Sequence, residues 1–197
     1  MRLFVGIALS PEAAAALSGV RALLASSGPE LRWSEPHGWH VTLQFLGEVT
    51  EPRAAMVAER LATVKADPVP VRIAELGFFE RAGVFFAGVA LTPELLALEQ
   101  RVVAAMRACG FTPEPRRYNP HITLARAKGR GGARELAPLK KALERRPIDL
   151  AAKFVAEEFL LYESIPGPAG SRNEVKARFS LCAGNGEGPA HTTPAPE

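Results

Sequence analysis

The sequence predicts an α+β fold, internally duplicated into two lobes, with mainly antiparallel sheets facing a central cleft and helices on the outside. Three observations lead there. The tetrapeptide His40-Val41-Thr42-Leu43 returns as His121-Ile122-Thr123-Leu124, 81 residues later. Gly6-Ile7-Ala8-Leu9-Ser10-Pro11-Glu12 is echoed by Gly88-Val89-Ala90-Leu91-Thr92-Pro93-Glu94 at an offset of 82, so the two repeats keep nearly one register. Strand-like segments outnumber helical ones, and the two kinds do not alternate strictly.

Each element has its own local signal. Arg2 to Leu9 reads as the first strand, and Ser10 then offers a hydroxyl N-cap, Pro11 a first helical residue and Glu12 an acid in the first turn. Leu17, Val20 and Leu24 follow at helical spacing. The stretch from Trp39 to Leu46 is a strand carrying the first motif. A second helix starts after Thr50-Glu51-Pro52 and buries Val57, Leu61 and Val64. Val69 to Leu76 and Val84 to Leu91 read as strands, with Glu80-Arg81-Ala82-Gly83 as the turn of a hairpin between Phe79 and Phe85. The third helix begins at Thr92-Pro93 and buries Leu95, Leu98, Val102 and Met106. His121 to Ala127 is the second motif strand, and a fourth helix over Ala133 to Glu144 ends at Arg145-Arg146-Pro147. Phe154 to Tyr162 and Val175 to Leu181 are the last strands, with Ile165 to Gly170 a loop between them.

Residues 1–182 are expected to form one bilobal domain, and Ala183 to Glu197, rich in Gly and Pro without an apolar face, a disordered tail. At 197 residues and 47% hydrophobic, the chain has material for a sizeable core. No apolar run is long enough for a membrane helix and no signal-peptide pattern opens the chain, so the cytoplasm is the expected compartment. Cys109 and Cys182 lie far apart and suggest reduced thiols. A net charge of +3 does not by itself announce a nucleic-acid binder. Six basic residues (Arg116, Arg117, Arg126, Lys128, Arg130 and Arg134) and no acidic ones nevertheless surround His121. Simple strand alternation sets Arg126, five residues after His121, on the opposite face; only a bulge would turn it inward.

Alternation also places His40 beside Thr42, and His121 beside Thr123, while the intervening aliphatic residues hold the other face. Two imidazoles across a groove form a general-acid and general-base pair, and threonine hydroxyls can donate to the non-bridging oxygens of a phosphate. That suits phosphodiester cleavage. Three other readings remain open from the residues alone: hydrogen-bonded structural histidines, a two-histidine metal site without a carboxylate or cysteine at short spacing, and a non-catalytic RNA-binding module.

The paired motifs, the opening Met1-Arg2-Leu3-Phe4-Val5-Gly6-Ile7, the Leu43-Gln44-Phe45-Leu46-Gly47-Glu48-Val49 continuation, Asn119-Pro120-His121 through Arg126, and Leu160-Leu161-Tyr162-Glu163-Ser164 together resemble the 2H phosphoesterase superfamily. Within it they are most similar to the bacterial and archaeal RNA 2′,3′-cyclic phosphodiesterases, historically called 2′-5′ RNA ligases. The resemblance implies metal-independent opening of a terminal 2′,3′-cyclic phosphate to a 2′-phosphate, or the reverse reaction as a ligation. It implies His40 as proton donor, His121 as proton acceptor, and Thr42 and Thr123 as phosphate contacts. Arg126 becomes a candidate phosphate contact, and Phe4, Phe45 and Tyr118 candidate walls of a base pocket. The substrate would be RNA ends or small cyclic phosphates, with no cofactor; independently of the resemblance, no membrane and no obligate protein partner are expected, and a self-contained pair of lobes fits a monomer. The chain departs from the family at Ser171-Arg172-Asn173-Glu174-Val175, where an aromatic residue is common before the final strand.

Overall fold

The computed structural model describes residues 1–129, 132–167 and 170–182, so the expected tail and part of the 165–170 loop lie outside the described residues. The chain opens with β1 (Arg2–Ala8) and α1 (Pro11–Leu24). The Ser10 hydroxyl accepts the Ala13 N–H at 3.2 Å, and α1 buries Ala13, Leu17, Val20 and Leu24. A short β2 (Leu31–Trp33) precedes the first motif strand, β3 (His40–Glu48), and α2 (Glu51–Leu61) comes next. β4 (Val69–Phe79) and β5 (Val84–Val89) form the expected hairpin. Gly83 closes its turn at φ 61°, where a Cβ would meet the Ala127 Cβ at 2.7 Å.

The second half repeats the plan. α3 (Pro93–Ala108) starts at Thr92, whose hydroxyl accepts the Leu95 N–H at 3.2 Å. The second motif strand β6 (His121–Ala127) leads to α4 (Ala133–Arg145), then β7 (Ala152–Ala156), β8 (Glu158–Ile165) and β9 (Arg172–Ser180). The three Pro-led helix starts differ in one respect, since Thr50 before α2 makes no side-chain cap bond. Ser10→Ala and Thr92→Ala are therefore expected to cost ~1 kcal/mol each in urea unfolding, and Thr50→Ala less than half of that. Equal losses at all three sites would contradict the capping assignment.

All strand pairs are antiparallel and fall into two sheets, ordered β3-β1-β8-β9 and β2-β6-β5-β4-β7. Each sheet holds one motif strand, as the duplication requires. The lobes are not simply the two halves of the chain, however. β2, from the first half, is too short to be read from alternation and completes the second sheet beside β6. The single strand expected from Phe154 to Tyr162 is two strands in different sheets, β7 against β4 and β8 against β1. The chain crosses between sheets at Glu157, whose carbonyl accepts the Leu181 N–H at 2.7 Å. No Gly or Pro marks this step, so the sequence pattern runs through it unbroken. Val89, rather than Leu91, ends β5.

One apolar cluster joins Leu3, Val5 and Ile7 of β1, Val41 and Leu43 of β3, Phe85 and Ala87 of β5, Ile122 and Leu124 of β6, and the buried faces of α1, α2 and α3. Phe4, Leu160 and Tyr162 form a separate cluster on the opposite face of the first sheet, the face shared by His40. Burying both faces of β1 is what makes its sequence continuously apolar from Leu3 to Ile7. Among the described residues, no helix is long and apolar enough to cross a membrane.

Candidate active site

The two motif strands carry the same burial pattern. His40 and Thr42 are half-buried while Val41 and Leu43 are buried; His121 and Thr123 are half-buried while Ile122 and Leu124 are buried. The expected alternation therefore holds up to the leucine of each motif. Beyond it, both strands bulge. Gly6 pairs with Thr42 but Val5 with Gln44, and Phe86 pairs with Thr123 but Phe85 with Ala125. Each bulge sets two consecutive inward residues side by side, Leu43 with Gln44 and Leu124 with Ala125, and reverses the facing of the residues after them. Arg126 is consequently turned to the face of His121 and Thr123, where its Nη2 lies 3.5 Å from the Thr123 Oγ1. The face given to Arg126 by simple alternation is thus corrected by the bulge. In the first lobe the same step exposes Phe45, at 52%.

The imidazoles are held alike. The Nδ1 of His40 lies 2.7 Å from the Gly38 carbonyl, and the Nδ1 of His121 lies 2.8 Å from the Asn119 carbonyl. A carbonyl only accepts, so each Nδ1 carries the hydrogen and each Nε2 remains as the other functional nitrogen. β3 and β6 approach to within 8 Å between Cα atoms, and the His121 charge acts on His40.

Aromatic rings buttress both histidines. Phe4 stacks on Tyr162 at 4.9 Å between centroids and lies 4.5 Å from the His40 ring. On the other side Phe79 and Phe86, themselves stacked at 4.2 Å, present edges to His121 at 4.8 and 5.5 Å. The Phe86 ring lies across Gly77, its cross-strand partner, where a Cβ would stand 2.5 Å from the ring. Sequence alone does not single out Phe79, Phe86 or Tyr162 as neighbours of the histidines. Phe86 stands 82 positions after Phe4, the repeat offset, and extending the repeat two residues upstream would find it. The echo is not a strict superposition, because His40 pairs with Ala8 but His121 with Gly88. The second lobe has slid by two residues relative to the repeat, which preserves the faces of the strand.

The remaining candidates separate by position. Phe4 is only 3% exposed and acts as a wall behind His40. Tyr118 is half-buried against the core, and its hydroxyl donates to the Thr42 carbonyl at 3.0 Å, joining the segment before His121 to the first motif strand. Burial pushes its phenol above the ordinary value. Asn173 of β9, in the segment that departs from the family pattern, donates its Nδ2 hydrogen to the same Gly38 carbonyl at 3.2 Å. No signal in the sequence points to that contact.

Electrostatics distinguishes the histidines. His40 is pushed down to about 4, mainly because the Phe4 and Tyr162 rings and the surrounding chain bury it; the Gly38 bond opposes this, and positive charge on His121 and Arg126 adds to it. His121 is lowered by burial and by Arg126, against the Asn119 bond. Arg126 is exposed by area yet crowded by the cleft, and burial, Arg32 and Arg2 lower it from the usual guanidinium value. Both imidazoles are therefore neutral near pH 7 in the free protein, and an arginine stands beside them ready to attract an anion. Among the described residues, no three His, Cys, Asp or Glu side chains gather into a group that could hold a metal ion.

Residues 7–164 match the family model of the 2′-5′ RNA ligase superfamily. A protein from Aeropyrum pernix named RNA 2′,3′-cyclic phosphodiesterase is 37% identical over 64% of this chain and 73% of its own length. One of the same name from Thermotoga maritima is 30% identical over 86% of this chain and 90% of its own. The crystal structure of TT0787 from Thermus thermophilus superposes with a TM-score of 0.69 at 28% identity, covering 92% of this chain and 98% of that one.

Proposed function

Because the chain belongs to the 2′-5′ RNA ligase superfamily, we infer that it is an RNA 2′,3′-cyclic phosphodiesterase, using its two motif histidines as acid and base. Water attacks the phosphorus of a terminal 2′,3′-cyclic phosphate, the P–O3′ bond breaks, and the product carries a 2′-phosphate. One imidazole takes the proton of the water and the other delivers a proton to the departing 3′ oxygen. The observation that carries this reading is the mirrored tethering of the two Nδ1 atoms, which leaves an Nε2 of each lobe for proton transfer. In keeping with the family resemblance, His40 is the donor and His121 the acceptor.

Neither histidine is protonated near neutrality in the free protein, so the donor gains its proton with the substrate. An anionic phosphate near the imidazoles favours the charged form and opposes their burial. Thr42 and Thr123 hold non-bridging oxygens, and Arg126 adds a charge-assisted contact from beside Thr123. Phe45 is the exposed ring suited to stacking on a base, whereas Phe4 and Tyr118 shape the site behind it. One chain supplies both histidines, so we take the working unit to be a monomer, acting in the cytoplasm on RNA ends or small cyclic phosphates.

An oligonucleotide ending in a 2′,3′-cyclic phosphate, incubated with the protein and excess chelator, is expected to be converted to the 2′-phosphate. Absence of turnover, a 3′-phosphate product or a strict need for added metal would overturn the reading.

A further inference from the structure

Arg32 and Arg126 are direct cross-strand partners in the β2–β6 pair. Directly opposed side chains project from the same face of a sheet, and like charges so placed repel each other. Both guanidiniums are exposed, and neither has a carboxylate at ion-pair distance among the described residues. Arg2 of β1 is also exposed and its charge acts on Arg126, but its direct cross-strand partner is Glu48, an opposite charge. Two strands thus bring positive charge without an ion-pair partner among the described residues to one place, and the β2–β6 register fixes it there. The Arg32 side chain is further confined on one side, since a Cβ on Gly170 would lie 3.6 Å from its Cδ and Nε.

The cluster is continuous with the histidine site. The bulge after Leu124 turns Arg126 to the face of His121, and its Nη2 reaches back to Thr123. Thr123 lies two residues, about 7 Å, along the strand from His121. Arg32 stands directly beside Arg126 on β2, one strand further out in the sheet. A terminal cyclic phosphate held by the histidines and threonines leaves the rest of an RNA chain to run away from them. The arginine pair is where the backbone's next negative charge would be neutralised.

We propose that Arg32, together with Arg126, which also borders the reacting phosphate, forms a second anion subsite for the phosphodiester on the 5′ side of the reacting nucleotide, so that the protein prefers oligonucleotide ends to nucleoside cyclic monophosphates. The proposal rests on the phosphodiesterase reading and names its substrate class. Guanidiniums bind phosphate oxygens through paired, charge-assisted hydrogen bonds, and a phosphate between them removes their mutual repulsion. A nucleoside 2′,3′-cyclic monophosphate has no phosphodiester to occupy that subsite.

The test compares three substrates: a nucleoside 2′,3′-cyclic monophosphate, a dinucleotide ending in the same cyclic phosphate, and that dinucleotide with a neutral methylphosphonate linkage. Wild type is expected to favour the phosphodiester dinucleotide, and Arg32→Gln to lower its kcat/KM about tenfold or more, chiefly through KM. The same substitution should change turnover of the monophosphate and of the methylphosphonate dinucleotide less than about twofold, which also shows the variant to be folded. Equal losses on all three substrates, no loss on the dinucleotide, or a methylphosphonate dinucleotide as good as the phosphodiester would overturn the subsite alone. Wild-type protein that turns over none of the three would overturn the phosphodiesterase reading itself.

Discussion

Replacing His121 by alanine is expected to lower kcat/KM on a cyclic-phosphate-ended oligonucleotide about 10²- to 10⁴-fold, and His40→Ala to do the same. On the proposed mechanism each substitution removes one proton-transfer group and leaves Thr42, Thr123 and Arg126 as the phosphate contacts. The loss should accordingly fall on kcat more than on KM. In the double variant the losses should not multiply, because an acid without its base completes neither half of the reaction. The two sites differ in their structural cost. His121 meets Phe79 and Phe86 edge-on, whereas the half-buried His40 packs on Phe4 and Tyr162, two rings of a buried cluster. His40→Ala will therefore also lower the unfolding midpoint, and its activity must be referred to the folded fraction. Either single variant retaining wild-type kcat would exclude that histidine from the chemistry.

His40, held low by the rings and chain packed around it, also makes stability depend on pH. His40 titrates at about 4 in the folded protein against an ordinary value of 6.5. Well above pH 6.5 the imidazole is neutral in both states and contributes no pH dependence. As pH falls from 6.5 toward 4 the unfolded chain takes a proton that the folded chain refuses, so folded stability decreases. The loss attributable to His40 is about 3 kcal/mol when the folded pKa is reached. His121, lowered in the same direction, adds to it. Denaturant midpoints of wild type and His40→Asn, measured from pH 7.5 down to about 4, should diverge at the basic end and converge or cross at the acidic end. Carboxylates titrate in both proteins and cancel in the difference. Parallel curves would show that His40 is not held neutral by its surroundings.

The parts of the fold that could be read from sequence are those set by local chemistry and by repetition. Ser10-Pro11 and Thr92-Pro93 announce two helix starts, and the structure shows both hydroxyls in their cap bonds. The repeated motif places each threonine beside its histidine, because a period of two is enough for residues two apart. What escaped depends on pairing between distant strands. The bulges after Leu43 and Leu124 are created by the register against β1 and β5, and no residue in either motif strand spells them out. Arg126 could only be made conditional on such a bulge. The crossover at Glu157 leaves no mark in the sequence, because apolar residues continue on both sides of it, each side serving a different sheet. Asn173 and Arg32 reach the site from β9 and β2, and only the assembled sheets bring them near His40 and Arg126.

The central claim is that one imidazole from each lobe moves a different proton, and the pH dependence of kcat/KM tests it most directly. On a cyclic-phosphate-ended oligonucleotide the wild-type profile is expected to be bell-shaped, its two limbs reporting one group that must be neutral and one that must be protonated. His121→Ala should lose the limb that falls toward acid pH, and His40→Ala the limb that falls toward basic pH. A monotonic wild-type profile, or a single variant that keeps both limbs, would contradict the account.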